Sequence, residues 1–147
     1  MSNWDRETVI EKICNSADRF GARNSQQRKQ LEFSCSKSPE REVFFGIFAF
    51  FFDPSLQENA EQRQMLAGYL LLSLAPPSPI NLDGSVYGAA QNWNLSIKEL
   101  PWYWCKAFGK DVVIEFLEDH QDISTDETFN RAIETMLFFT KGYKDGT

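Results

Sequence analysis

The sequence predicts an all-α fold, a single domain of about six helices in an irregular bundle around one central buried helix. Three observations carry that reading. Residues 43–52, VFFGIFAFFF, are ten apolar residues in a row, with Pro39 four residues before them and Asp53-Pro54 closing them. Apolar residues recur at helical spacing in residues 5–20 and again in 129–140. Capping-box matches of the form Ser-x-x-Glu stand at Ser55, Ser96 and Ser124, each ahead of an apolar segment. A stack of helical hairpins of the HEAT kind is the alternative arrangement of the same elements.

In residues 5–20 the stripe is Val9, Ile13, Ala17 and Phe20, flanked by Ile10 and Cys14, and Gly21 supplies a left-handed stop. Asn24-x-x-Gln27 caps a short helix carrying Leu31, while Leu31, Phe33 and Cys35 alternate as a strand does, so a short helix with an extended exit is expected. The apolar run is too short to cross a bilayer, which takes roughly 20 residues. Strand and buried helix compete for it, and the flanks decide. Ser38 as N-cap, Pro39 at the first helical position and Glu40 near the positive end of the dipole predict a helix over residues 39–53, buried all round. Gly46 and Ala49 make a small-residue notch on it.

Ser55-x-x-Glu58 opens the next helix, residues 56–74, which pairs antiparallel with the phenylalanine helix; Ala75-Pro76-Pro77-Ser78-Pro79 stops it. Residues 76–95 show no period, and Asp83-Gly84 suggests a small hairpin, inside a loop pinned by Tyr87 and Trp93. A turn from Ser96 leads into a helix over 101–108, Gly109 breaks it, and residues 111–120 form the next. The last helix, capped by Ser124-x-x-Glu127, buries Phe129, Ala132, Ile133, Met136, Leu137 and Phe139/Thr140. Residues 141–147 are expected to fray.

The formal net charge of −6 and pI near 4.8 argue against a general nucleic-acid or anionic-membrane binder. Three cysteines (Cys14, Cys35, Cys105) without a C-x-x-C pair suggest neither a disulfide framework nor a metal site, and the polar start MSNWDRETV lacks the features of a signal peptide. Cytoplasmic residence, free thiols and no cofactor are expected. The acid is unevenly placed: residues 1–42 hold eight Lys/Arg and seven Asp/Glu, so residues 43–147 carry the whole negative excess.

Catalytic signatures are absent: no phosphate-binding glycine loop, nucleophile elbow or zinc-protease motif occurs. The one histidine, His120, lies among acids at a helix end, where the dipole favours a cation. The expectation is a protein that is not an enzyme.

Two features stand out. Asp111, Glu115, Glu118, Asp119 and Asp122 fall at i, i+4, i+7, i+8 and i+11, one face of a continuing helix, with Val112, Val113, Phe116 and Leu117 on the other. Trp102-Tyr103-Trp104 spans about 200° of a helix, so Trp102 points away from the face that buries its neighbours, either onto a second helix or outward as an interface anchor. Together they predict an interaction module whose acidic surface binds a basic protein, of the type seen in immunity proteins that neutralise a toxin. That type rests on analogy in size, acidity and lack of catalytic motif. The rivals are a small-molecule-binding or enzymatic domain with a pocket near residues 76–95, and a homo-oligomer using Trp102 and Trp93 as contact.

Overall fold

The computed structural model describes residues 3–144. They form an all-helical bundle of eight α-helices and one 3-10 turn.

Helix α1 (Arg6–Phe20) starts where the Asp5 carboxylate accepts the Thr8 N–H at 2.8 Å, and stops at Gly21, whose φ of 77° only glycine adopts without strain. Val9, Ile13 and Ala17, one turn apart, are buried. Helix α2 (Ser25–Ser36) is capped by Asn24 and has no extended exit. Leu31 and Cys35 are buried at the helical spacing of four, and Phe33, the residue that suggested a strand, is 63% exposed. Burial pushes the Cys35 thiol up to about 11.

Helix α3 (Glu40–Phe52) is the phenylalanine helix. Ser38 does not cap it, because its hydroxyl accepts the Trp4 N–H at 3.0 Å and donates to the Ser34 carbonyl at 2.9 Å. The start of α3 is tied instead to the start of α1. Glu42 accepts the Arg6 backbone N–H at 3.0 Å and two guanidinium N–H groups at 3.2 and 2.7 Å. The helix is not buried all round: Phe44, Ile47, Phe48, Phe50 and Phe51 are, but Phe52 is 44% exposed and Phe45 lies under the Arg6 and Arg41 guanidinium groups.

At Gly46 the notch is real and contacts α1. A Cβ there would lie 2.6 Å from the Val9 Cβ and 3.0 Å from the Arg6 carbonyl oxygen. Backbone cannot yield as a flexible side chain does, so Gly46→Ala must part α1 from α3. It is expected to cost about 1 to 3 kcal/mol in denaturant unfolding. A variant as stable as the parent would mean that the crossing is looser than the structure has it.

The Arg6–Glu42 pairing has a pH signature. The Arg6 groups hold the Glu42 carboxyl down to about 2, against an ordinary value of 4.5. A depressed folded-state value means that this stabilisation is complete above about pH 4.5 and fades as pH falls towards 2. Melting curves of the parent and Glu42→Gln, collected from pH 6 down to pH 2, are therefore expected to differ most at the top of that range and to converge at the bottom. A difference independent of pH would contradict the pairing.

After α3, Asp53 accepts both the N–H and the hydroxyl of Ser55, at 2.9 and 2.7 Å, in a 3-10 turn at Pro54–Leu56. Ser55 therefore makes no capping box with Glu58, and α4 (Ala60–Leu74) begins later than expected, after Asn59 in a left-handed conformation with φ 51°. Helix α3 packs against α1, α2, α4 and α5 (Leu82–Ala89); α4 packs against α1, α2, α3 and α6 (Glu99–Phe108). Through α3 with α5 and α4 with α6 the first half of the chain meets the second.

Where a small hairpin was expected the chain forms helix α5 (Leu82–Ala89). Asn81 accepts the Gly84 N–H at 2.8 Å, so Asp83-Gly84 lies in a first helical turn, and Leu82, Ser85, Val86 and Ala89 are buried at helical spacing. Buried Gln64 fixes the segment that follows: its amide donates to the Asn92 carbonyl at 2.7 Å and to Gln57 at 3.0 Å, and its oxygen accepts the Asn94 N–H at 2.7 Å. Trp93 is buried beside it and donates to the Ile97 carbonyl at 2.9 Å.

Helix α6 (Glu99–Phe108) holds Pro101 in its first turn, where no backbone N–H is needed, so it starts two residues earlier than expected. Trp104 and Tyr103 are buried, the indole N–H of Trp104 donating to the Ser85 hydroxyl at 2.7 Å. Gly109, φ 97°, separates α6 from α7 (Lys110–Asp119). Helix α8 (Glu127–Lys141) is capped by Asp126, not Ser124, and buries the expected stripe with Thr140 inside and Phe139 half-buried. Past it the chain is held, not frayed, as far as it is described. Tyr143 is buried and its carbonyl accepts the Lys110 ammonium at 2.7 Å. Residues 145–147, also expected to fray, lie outside the described residues.

Candidate functional site

The acidic row is built on α7. Val113 and Leu117, four apart, are buried towards α6 and α8, which turns Asp111, Glu115, Glu118 and Asp119 outward; all four are exposed. Val112, expected on the covered side, is 53% exposed and lies among them. The helix ends at Asp119. His120 closes it, its backbone N–H bonded to the Leu117 and Glu118 carbonyls, its Nδ1 2.7 Å from the Phe116 carbonyl oxygen and its ring stacked on Phe116 at 4.0 Å. The edge of Tyr87 also meets that ring, at 5.8 Å.

Asp122 falls out of the row, because the chain has left the helix and Asp122 has φ 54°, a left-handed turn that Asp tolerates better than most residues. Instead it lines an open cleft of about 820 Å³ between residues 90–95 and α8. Trp93 and Leu95 form the apolar side of this cleft, and Glu127, Arg131 and Glu134 line it from α8. Asp126 stands beside it, its carboxyl held below the usual range by the Gln91 amide at 2.7 Å and by the N–H groups it caps.

The outer side of α8 joins cleft to row. Glu127, Arg131, Glu134, Phe138 and Lys141 are all exposed and follow one another at three- or four-residue steps, which places them on one face. Lys141 reaches Glu118 on α7 at 3.9 Å. Phe138, 72% exposed, is the most open large apolar side chain among the described residues. Phe138 is not among the binding residues expected from the sequence, although its absence from the buried stripe of α8 already sets it on the far side.

Trp102 is half-buried and joins α6 to the end of α8. Its indole N–H donates to the Phe139 carbonyl at 3.0 Å, its ring meets Tyr143 edge-on at 6.0 Å, and the Lys98 ammonium sits 4.7 Å from the ring centre. Of its two expected roles this geometry supplies the covering of a second helix. Trp102 and Glu118 thus both reach the last turn of α8, but the indole N–H is already engaged.

A smaller cavity of about 390 Å³ lies between Pro76–Ser78 and Tyr103, Lys106 and Phe108. Among the described residues no group of three or more His, Cys, Asp or Glu side chains is placed to hold a metal ion, and no helix is long and apolar enough to cross a membrane. Neither a protein-family model, nor a curated protein sequence, nor a solved structure matches this chain.

Proposed function

We propose that this chain is a cytoplasmic interaction protein that binds a basic protein through the acidic face of α7, the outer side of α8 and the cleft at residues 90–95, as an inhibitor of the immunity-protein type. The observation that carries this reading is the concentration of exposed acid. Residues 111–134 hold eight carboxylates and one arginine, and the four on α7 are exposed in one helical row. Like charges at i, i+4 cost a helix a few tenths of a kcal/mol each, which the fold alone gives no reason to accept. Facing a basic protein, the same row is complementary, and complementary charge speeds encounter and fixes register. The helix holds the row in place before binding, so little ordering is needed.

Within this face Asp111, Glu115, Glu118 and Asp119 steer the partner, and Asp122 with Glu127 and Glu134 offers a recess for a Lys or Arg side chain. Phe138 supplies the open ring of a central contact. Trp102 supports that surface from below, holding the end of α8 through Phe139. A basic protein retained by this chain at low salt, added to isotope-labelled chain, is expected to shift backbone amide signals of α7 and of residues 90–95 and 122–138. Shifts confined to α1 and α2 would remove the reading.

The cleft favours one second reading, a cationic small molecule held by Asp122, Glu127 and Glu134 over Trp93. The two separate in the same spectra, since a small ligand leaves Asp111 and Glu115 unmoved.

A further inference from the structure

On α1 and α2 the acid excess is gone: together the two helices hold five Lys/Arg and four Asp/Glu. These helices pack on α3 and α4, whereas α7 and α8 pack on each other and on α6, so the two surfaces belong to different parts of the bundle. Between α1 and α2 runs an open groove of about 330 Å³. Among the described residues its charged lining consists of two cations, Lys12 and Arg19, in a chain of net charge −6. Neither has a carboxylate within 4 Å among the described residues. Asp18, the acid next to Arg19, is taken by Arg63 at 2.8 Å and by Asn59 at 2.9 Å.

Each cation stands by an aromatic ring that also lines the groove. The Lys12 ammonium is 5.9 Å from the centre of Trp4, and the Arg19 guanidinium is 5.6 Å from Phe20, which is 49% exposed. A ring beside a cation limits its wandering and gives a ligand's methylene groups something to cover. Along the other wall, Gln27 and Gln30 carry amides that both donate and accept, as the backbone of an extended peptide requires. Gln27 is held by the Ser16 hydroxyl, which donates to its oxygen at 3.0 Å.

We propose that this groove binds an extended acidic peptide segment, Lys12 and Arg19 each pairing with a carboxylate. The spacing sets the motif. Seven residues of helix separate the cations by about 10 Å and leave them on one face; a peptide in the extended polyproline II form, with three residues per turn and about 3.1 Å per residue, covers that distance in three residues and keeps residues i and i+3 on one face. The segment is therefore acid-x-x-acid. This site goes beyond the interaction proposed for α7 and α8 and stands or falls without it.

Anisotropy of a labelled Gly-Glu-Gly-Gly-Glu-Gly peptide titrated with the full chain tests it. Weak, salt-sensitive binding is expected for the parent, with the Lys-for-Glu peptide not bound. The double variant Lys12→Glu/Arg19→Glu, at exposed positions, is expected to melt like the parent and to bind about tenfold more weakly or worse, since two favourable pairs become two repulsions. Glu11→Lys, one position away on α1 but not lining the groove, is expected to keep parental affinity or better. Equal binding by parent and double variant would overturn the proposal, as would equal binding of the lysine peptide. Absent peptide binding together with self-association that the double variant abolishes would also overturn it, naming a second copy of this chain as the occupant. Should the double variant unfold, Lys12→Gln/Arg19→Gln gives the same reading with a smaller loss.

Discussion

Phe48→Ala is expected to lower the unfolding free energy by about 3 to 5 kcal/mol. Phe48 is 3% exposed near the middle of α3. Its ring stacks on Phe44 at 5.4 Å and 12°, lies 5.7 Å from Phe52 and 6.3 Å from Phe51, and reaches across to α5 at Gly88. Truncation removes the ring from all of them at once. The helices on either side are held by contacts of their own, so they cannot close the space fully and a cavity remains. A loss of that size is a large share of the 5 to 15 kcal/mol typical of a small folded protein. Phe52→Ala provides the internal comparison. One helical turn further on and 44% exposed, it is expected to cost about 1 kcal/mol or less. Chemical denaturation of the two variants beside the parent checks both. If Phe48→Ala unfolds at the parental midpoint, α3 does not carry the weight its burial implies.

What the sequence made legible followed from local periodicity. The stripes of α1 and α8, the helix of phenylalanines, the breaks at Gly21 and Gly109 and the row of carboxylates on α7 all come from a 3.6-residue repeat or a single glycine, which neighbouring residues suffice to reveal. The misreadings have local causes too. Ser55 and Ser96 matched the capping box, but each has a shorter route to a partner: its hydroxyl donates to an Asp or Asn two residues before it, at 2.7 Å in both cases. A side chain two residues away wins over a backbone N–H three residues ahead, because less chain must be ordered to meet it. Asp83-Gly84 looked like a hairpin turn, yet Asn81 just before it is a better helix cap, and the spacing of Leu82, Val86 and Ala89 was helical all along.

Beyond these lies what no local pattern carries. That Asp122 leaves the row depends on where α7 stops, and the cleft it lines has residues 90–95 as its other wall, held by Gln64 of α4 at Asn92 and Asn94 across about 30 residues of chain. Trp102 shows the same limit. Its direction away from Tyr103 and Trp104 was readable, but the Phe139 carbonyl that receives its N–H lies 37 residues away.

The charge on α7 carries the functional claim, and its reversal is expected to have the largest effect on binding. Changing Glu115, Glu118 and Asp119 together to Lys moves the local charge by six units in the centre of the row. All three are exposed, and the one ion pair lost, Glu118 with Lys141, is itself exposed at 3.9 Å. The fold should therefore survive, helped by relief of repulsion within the row. Steered association typically runs one to three orders of magnitude faster than unsteered association, and reversal turns steering into repulsion. Slowing of about a hundredfold at low salt is the expected result. Salt screens over about 10 Å at 0.1 M, so the gap between parent and variant should narrow as salt rises, and dissociation rates should change less than association rates. The deciding measurement is the association rate of the basic partner with parent and triple variant across a salt series. A steep fall with salt is expected for the parent and a slow, flat or rising rate for the variant; equal rates with equal salt slopes would show that the acidic face of α7 takes no part in recognition.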